Sequence, residues 1–131
     1  MATMSQALVE LGISNFELEG TPTTEKEFNE SFTKITGFDK NRTIIRSTNP
    51  DDFGVDWTKV KAKYDELVAA EPLKELREVR NRFLSESDWT RMDDNGLTNE
   101  QKEKWAKYRQ DLRDITKTAT SLDDVTWPTK P

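Results

Sequence analysis

The sequence predicts an α+β protein in which a small β-α-β-like unit precedes a helical region. Short strand patterns flank a helical pattern in the first 50 residues, whereas amphipathic helical spacing dominates from residue 56 onward. In the polar segment 117–131, Pro128 and Pro131 prevent regular backbone pairing. We therefore predict an α/β unit over 1–50, a helical region over 56–131, and an irregular carboxyl-terminal segment within it.

Two strands and a short helix are predicted in the first unit. The helix lies near residues 5–11, where Ala7 and Leu8 provide an apolar side. Segment 15–20 alternates apolar and acidic residues, which is the pattern of a half-buried strand, and the β-branched segment 43–47 predicts a second strand. The pattern leaves open whether these strands are parallel.

A helix is predicted between the two strands. Thr24 and Glu27 have the spacing of a capping box, so the helix should begin at Glu25. Because Phe28, Phe32 and Ile35 recur at helical spacing, we expect them on one face of this helix. Gly37 would then follow its last turn. The connector 49–55, which follows the second strand, is the predicted boundary between the two regions.

Three amphipathic helices are predicted in the second region. Asp56 can cap a helix over 57–70, and Pro72 fits the first turn of a new helix that ends near Glu86. Thr98 and Gln101 form another capping box, which opens a helix over 99–115. We predict that helices 73–86 and 99–115 form an antiparallel pair.

The composition excludes several kinds of chemistry. The 131 residues include no cysteine and no histidine, so disulfides, thiol nucleophiles, usual zinc sites and imidazole catalysis are absent. A net charge of −5 with interspersed cations opposes nucleic-acid and anionic-membrane binding. No catalytic sequence pattern is present, and no segment approaches the length of a membrane span. We expect neither an enzyme nor a cofactor.

The acidic turn Asp93-Asp94-Asn95-Gly96 superficially resembles a calcium loop. An EF-hand loop places its glycine sixth, which would put Arg91 at position one and Lys102 at position twelve. Both positions require oxygen ligands, and both hold cations. The segment is therefore interpreted as a turn before a helix, and no metal site is predicted.

Aromatic and arginine residues carry the most information about function. Trp57 and Trp105 lie on predicted buried faces, whereas Trp89 lies in a loop and Trp127 lies in the polar carboxyl-terminal segment. An indole in such a segment should dock onto its own domain or onto another chain. Similarly, Arg109 and its neighbours either form an internal arginine–aspartate network or contact a partner.

The same residues resemble a known family. Segment 80–90 (RNRFLSESDWT), segment 105–115 (WAKYRQDLRDI) and segment 127–131 (WPTKP) resemble, in order and spacing, bacteriophage tail assembly chaperone and tail-fibre assembly proteins. Phe83 replaces the leucine usual there, and Ser87 replaces the commoner threonine. The front half, with Asn49-Pro50 and Phe53-Gly54-Val55, resembles small proteins of marine phages.

The resemblance implies a phage protein that binds a tail or tail-fibre structural protein during late assembly. It would act without catalysis in the host cytoplasm. The alternative is a permanent structural component of the virion, such as a tail, baseplate or fibre adaptor. A DNA-binding regulator is a weaker alternative that the acidic charge opposes. The oligomeric state stays open. The residues that match the family pattern are the candidate partner-binding residues: Arg80, Asp88, Trp89, Tyr108, Arg109, Arg113, Asp114 and Trp127.

Overall fold

The computed structural model describes residues Met1–Pro131 and confirms the α+β class. Three short 3-10 turns lie at Pro50–Asp52, Asp88–Arg91 and Ile115–Lys117. The helices and strands are α1 (Met4–Glu10), β1 (Phe16–Leu18), α2 (Glu25–Ser31), β2 (Phe32–Phe38), β3 (Ile44–Ser47), α3 (Trp57–Glu86) and α4 (Asn99–Arg113).

The chain forms two compact units, Met1–Ala69 and Ala70–Pro131, so that α3 contributes residues to both. The domain division at 1–50 and 56–131 remains a prediction. None of the helices is long and apolar enough to span a membrane.

The first unit contains a three-stranded antiparallel sheet in the order β1-β2-β3. The two strands that the sequence predicts, β1 and β3, do not pair with each other, because β2, which was predicted as helix, lies between them and is antiparallel to both. Phe16 pairs with Lys34, and Phe38 pairs with Ile44 at the opposite end of β2. An irregularity between Ile35 and Gly37 inserts one extra residue into β2.

The predicted length of the helix after Thr24 is wrong. Its start is confirmed, because the Thr24 hydroxyl accepts a hydrogen bond from the Glu27 N–H at 3.2 Å. The helix, however, ends at Ser31, and residues 32–38 form β2 instead of continuing to Ile35. Phe28 and Phe32 are both buried in the structure, and a longer helix would also place them on one face. Their spacing alone therefore does not distinguish a helix that continues past Ser31 from a strand that begins at Phe32. The β-branched residues after Phe32 favour the strand, which two neighbouring strands complete.

The core of the first unit is centred on three phenylalanines. The Phe32 and Phe53 ring centroids are 4.5 Å apart, and those of Phe28 and Phe32 are 5.0 Å apart. Such packing of tilted and edge-to-face rings fills space efficiently. The buried members of this core are Met4, Leu8, Phe28, Phe32, Phe53 and Val60.

The predicted helix break at Pro72 is also wrong, because α3 continues through this residue. A proline inside a helix lacks the N–H that would donate to the Val68 carbonyl and crowds that carbonyl. The flanking Ala69, Ala70 and Glu71 favour the helical state, and Leu76 is completely buried one turn later. Burial of the helix on both sides of the proline therefore outweighs one missing hydrogen bond. The antiparallel pairing of 73–86 with 99–115 remains a prediction.

Candidate partner-binding surface

Helix α4 is fixed at its start by the predicted capping box. The Thr98 hydroxyl accepts from the Gln101 N–H at 3.2 Å, and the Gln101 side chain accepts from the Thr98 N–H at 2.9 Å. This fixed start sets the phase of the helix, so that Trp105, Tyr108 and Leu112 are buried. Phe83, Leu84, Leu97 and Trp127 pack against these three residues.

The aromatic rings of the second unit form two contacting groups. Trp105 lies edge-to-face against both Tyr108, at 5.7 Å between centroids, and Trp89, at 5.5 Å. Trp127 lies edge-to-face against Phe83 at 5.0 Å. The indole of the carboxyl-terminal segment thus docks onto its own unit, one of the two alternatives that the sequence left open.

Arg109 is a buried cation that joins α4 to the end of α3. Its guanidinium donates to the Leu84 carbonyl at 2.6 Å and to the Ser87 hydroxyl at 2.7 Å. It also forms an ion pair with exposed Asp88 at 2.9 Å. The Ser87 hydroxyl donates in turn to the Phe83 carbonyl at 3.0 Å. These contacts form the internal network, whereas the Arg109 Nε has no hydrogen-bond partner.

The loop after α3 is held by its own polar side chains. The Thr90 hydroxyl donates to the Ser87 carbonyl at 2.7 Å, and the Asn95 amide donates to the Thr90 carbonyl at 2.9 Å. The Asn95 side-chain oxygen accepts from the Leu97 N–H at 3.0 Å. The side-chain amide nitrogen and oxygen of Asn95 are therefore both hydrogen-bonded within the loop, and these bonds fix the position of the turn that carries Trp89.

Two apolar side chains project from this turn. Trp89 is 46% exposed and Met92 is 64% exposed, and the Met92 N–H donates to the Trp89 carbonyl at 3.2 Å. Exposed Asp93 and Asp94 follow directly in the chain. We call Trp89 and Met92 the Trp89–Met92 surface. It combines a ring held against Trp105 with a flexible thioether, as apolar contact surfaces often do.

The remaining candidate residues have different environments. Tyr108 is buried, and this burial, assisted by the Glu86 carboxylate, raises the pKa of its hydroxyl. Arg80 is half-buried and donates to the Asn81 side chain at 3.0 Å, whereas Arg113 is exposed. Hydrogen bonding from Lys117, and then from Gln110, lowers the pKa of Asp114.

The structure thus gathers only some of the eight candidates. Asp88, Trp89 and Arg109 lie together at the turn after α3, and Tyr108 reaches Trp89 only through Trp105. Met92 was not among the candidates. The sequence could have indicated Met92, because it is an apolar residue in a polar loop, three positions after the loop residue Trp89.

These features define a small α+β protein whose second unit is a helical scaffold for an exposed tryptophan and methionine. Residues 73–131 match the family model described as phage tail assembly chaperone protein. This match confirms, over the carboxyl-terminal region, the resemblance to the phage tail assembly chaperone family that the three sequence segments predict. The match supports a role in phage tail assembly.

The chain is also similar to a protein of solved structure. No curated protein matches the chain. Among solved structures, the chain is similar to the solution structure of protein CV0426 from Chromobacterium violaceum, with 40% sequence identity. The similarity covers 62% of this chain and 77% of that chain, with a TM-score of 0.40.

Proposed function

We propose that this protein is a non-catalytic chaperone that binds a phage tail or tail-fibre structural protein in the host cytoplasm during virion assembly. Two findings support the proposal. Residues 73–131 match the phage tail assembly chaperone model, and Trp89 is exposed on a turn whose backbone is held by hydrogen bonds from Thr90 and Asn95. We choose the Trp89–Met92 surface as the partner-binding site because of the second finding, since exposed rigid aromatic residues commonly anchor protein–protein contacts.

Trp89 suits this role because its position is set before a partner arrives. Trp105 supports the ring, and the Asn95 and Thr90 hydrogen bonds hold the backbone of the turn. Little side-chain entropy is then lost on binding. Covering the exposed half of an indole removes roughly 100 Å² from water, which is worth about 2–3 kcal/mol before the costs of association.

Charge limits the partners that this surface accepts. Asp93 and Asp94 follow Met92 directly, whereas Asp88 is already paired with Arg109 and Arg91 lies between the two apolar residues; the whole chain has a net charge of −5. We therefore expect an apolar segment bordered by lysine or arginine. Tail and fibre subunits expose apolar strand edges before they assemble, and an acidic cover would keep such a complex dissolved.

Co-expression with the tail and tail-fibre proteins encoded by the same phage tests the proposal. We expect the tagged chain to copurify with one of them, and the double substitution Trp89→Ser, Met92→Ser to lose this partner. Leu122→Ser is a matched control, because Leu122 is a 42% exposed apolar residue of the same unit. Equal recovery of the partner by the double variant and the control would exclude the Trp89–Met92 surface.

Analysis of purified virions separates a chaperone from a permanent virion component. Mass spectrometry should find the tail proteins at their usual ratios and none of this chain. A stoichiometric amount of this chain would identify it instead as a tail, baseplate or fibre adaptor that stays after assembly.

A further inference from the structure

The β2–β3 hairpin of the first unit exposes apolar side chains that the family match does not cover. Phe38 is 67% exposed, and its cross-strand partner Ile44 is 38% exposed. The next residue, Ile45, is 44% exposed on the other side of the strand. The hairpin therefore exposes large apolar side chains on both faces of a short strand, a feature that is common at sites of protein–protein contact.

One backbone edge of β3 is also unpaired. In the order β1-β2-β3, strand β3 has a neighbour on one side only. Ile44, Ile45 and Arg46 are all exposed, so no loop of the chain covers this strand. Soluble proteins usually protect such an edge, because it offers unpaired N–H and carbonyl groups to an added strand.

The hairpin carries the opposite charge to the rest of the protein. Residues 32–48 include four cations and one anion, although the chain as a whole has a net charge of −5. Arg46 pairs with Glu17 at 3.0 Å, and the Lys34 ammonium donates to the Ser14 carbonyl. Lys40 and Arg42 lie in the turn that leads into β3, and both are exposed.

The single anion of the hairpin does not neutralise these two cations. The Asp39 carboxylate accepts hydrogen bonds from the Asn41 N–H at 2.8 Å and the Thr43 N–H at 2.9 Å, and so it stabilises the turn. The carboxylate keeps its own charge and offsets one of the two cations, so the turn 39–43 at the entrance to the open edge has a net charge of +1.

We propose that the open edge of β3 binds an extended acidic segment of a partner polypeptide as a fourth strand. Alternating carboxylates would lie near Lys40 and Arg42, and the intervening apolar residues would cover Phe38 and Ile44. Two copies of this chain that pair β3 with β3 would bring like charges together, which opposes a second copy as the occupant. The site lies outside residues 73–131 and does not depend on the Trp89–Met92 surface.

An NMR titration of the full-length, nitrogen-15-labelled chain tests this site with two peptides. The probe is a capped eight-residue peptide of alternating valine and glutamate, and its control alternates valine and lysine. We expect the acidic peptide to shift the amide signals of 44–47 and the control peptide to leave them unchanged. Equal binding of both peptides, or shifts confined to other residues, would overturn the proposal.

Charge-reversed variants test the residues that select the peptide. Lys40→Glu with Arg42→Glu should weaken acidic-peptide binding at least tenfold, whereas Lys74→Glu with Arg77→Glu on α3 makes the same charge change and should leave it intact. Trp89→Ser should also leave it intact, which separates this site from the proposed function. Equal weakening by both double variants, or self-association through 44–47 without peptide binding, would refute the proposed occupant.

Discussion

Replacing Arg109 with alanine should destabilise the second unit of this protein. Arg109 is 8% exposed and donates hydrogen bonds to the Leu84 carbonyl and the Ser87 hydroxyl. Each hydrogen bond to a charged group contributes about 1.5–3 kcal/mol. Burial of the guanidinium, with its unpaired Nε, offsets part of this gain, and the exposed Asp88 adds little. We therefore expect Arg109→Ala to lower the free energy of unfolding by about 2–4 kcal/mol.

Urea unfolding followed by tryptophan fluorescence measures this loss, because Trp89 and Trp105 lie next to the network. Arg113→Ala is the matched control, since Arg113 is an exposed arginine one turn further along α4. The control should change the free energy of unfolding by less than about 1 kcal/mol. If both variants unfold at the same urea concentration as the unmodified chain, the Arg109 network does not support the fold.

Three further substitutions have defined outcomes. Leu112→Ala removes a fully buried side chain and should cost about 2–5 kcal/mol in urea unfolding, so a loss below about 1 kcal/mol would contradict its core position. Pro72→Ala restores a helical N–H and should raise the melting temperature, whereas a decrease would show that the proline stabilises α3. Hydrogen bonds from the Thr23 N–H and hydroxyl lower the pKa of Glu27 below its ordinary 4.5, so its ionised form stabilises the fold above that pH. The Glu27→Gln variant should therefore have a lower free energy of unfolding than the unmodified chain at pH 7. This difference in stability should disappear as the pH falls through the lowered pKa, and its persistence at pH 2 would refute the linkage.

Local signals in the sequence predicted most of the helix starts. Thr24, Thr98 and Asp56 cap their helices as expected, because a cap depends on residues within one turn of it. The end of α2 could not be found in the same way. Phe28 and Phe32 are four positions apart, and both are buried whether the chain turns as a helix or extends as a strand. Pairing with β1 and β3 decides between these structures, and that pairing is not local.

The continuity of α3 shows a similar limit. Proline is a reliable indicator of a helix end, but its cost is one hydrogen bond and some crowding. Burial of Val60 before it and Leu76 after it opposes that cost. Since the sequence does not show how much each side of the helix buries, it could not reveal which effect is larger.

The candidate site could be predicted only as a set of residue types. The family pattern grouped Trp89, Arg109 and Trp127 as candidate partner-binding residues. It did not show which of them are buried and which are exposed. In the structure Arg109 is enclosed and Trp127 packs on Phe83, whereas Trp89 remains half-exposed. Exposure depends on how the loop after α3 lies against α4, which no local pattern encodes.

Electron microscopy of particles from a phage that encodes the double substitution Trp89→Ser, Met92→Ser tests the central claim most directly. If this surface binds a tail or fibre protein during assembly, the lysate should contain complete heads with missing or malformed tails, while Leu122→Ser gives normal particles. Normal tailed particles at the unmodified yield from the double variant would contradict the account.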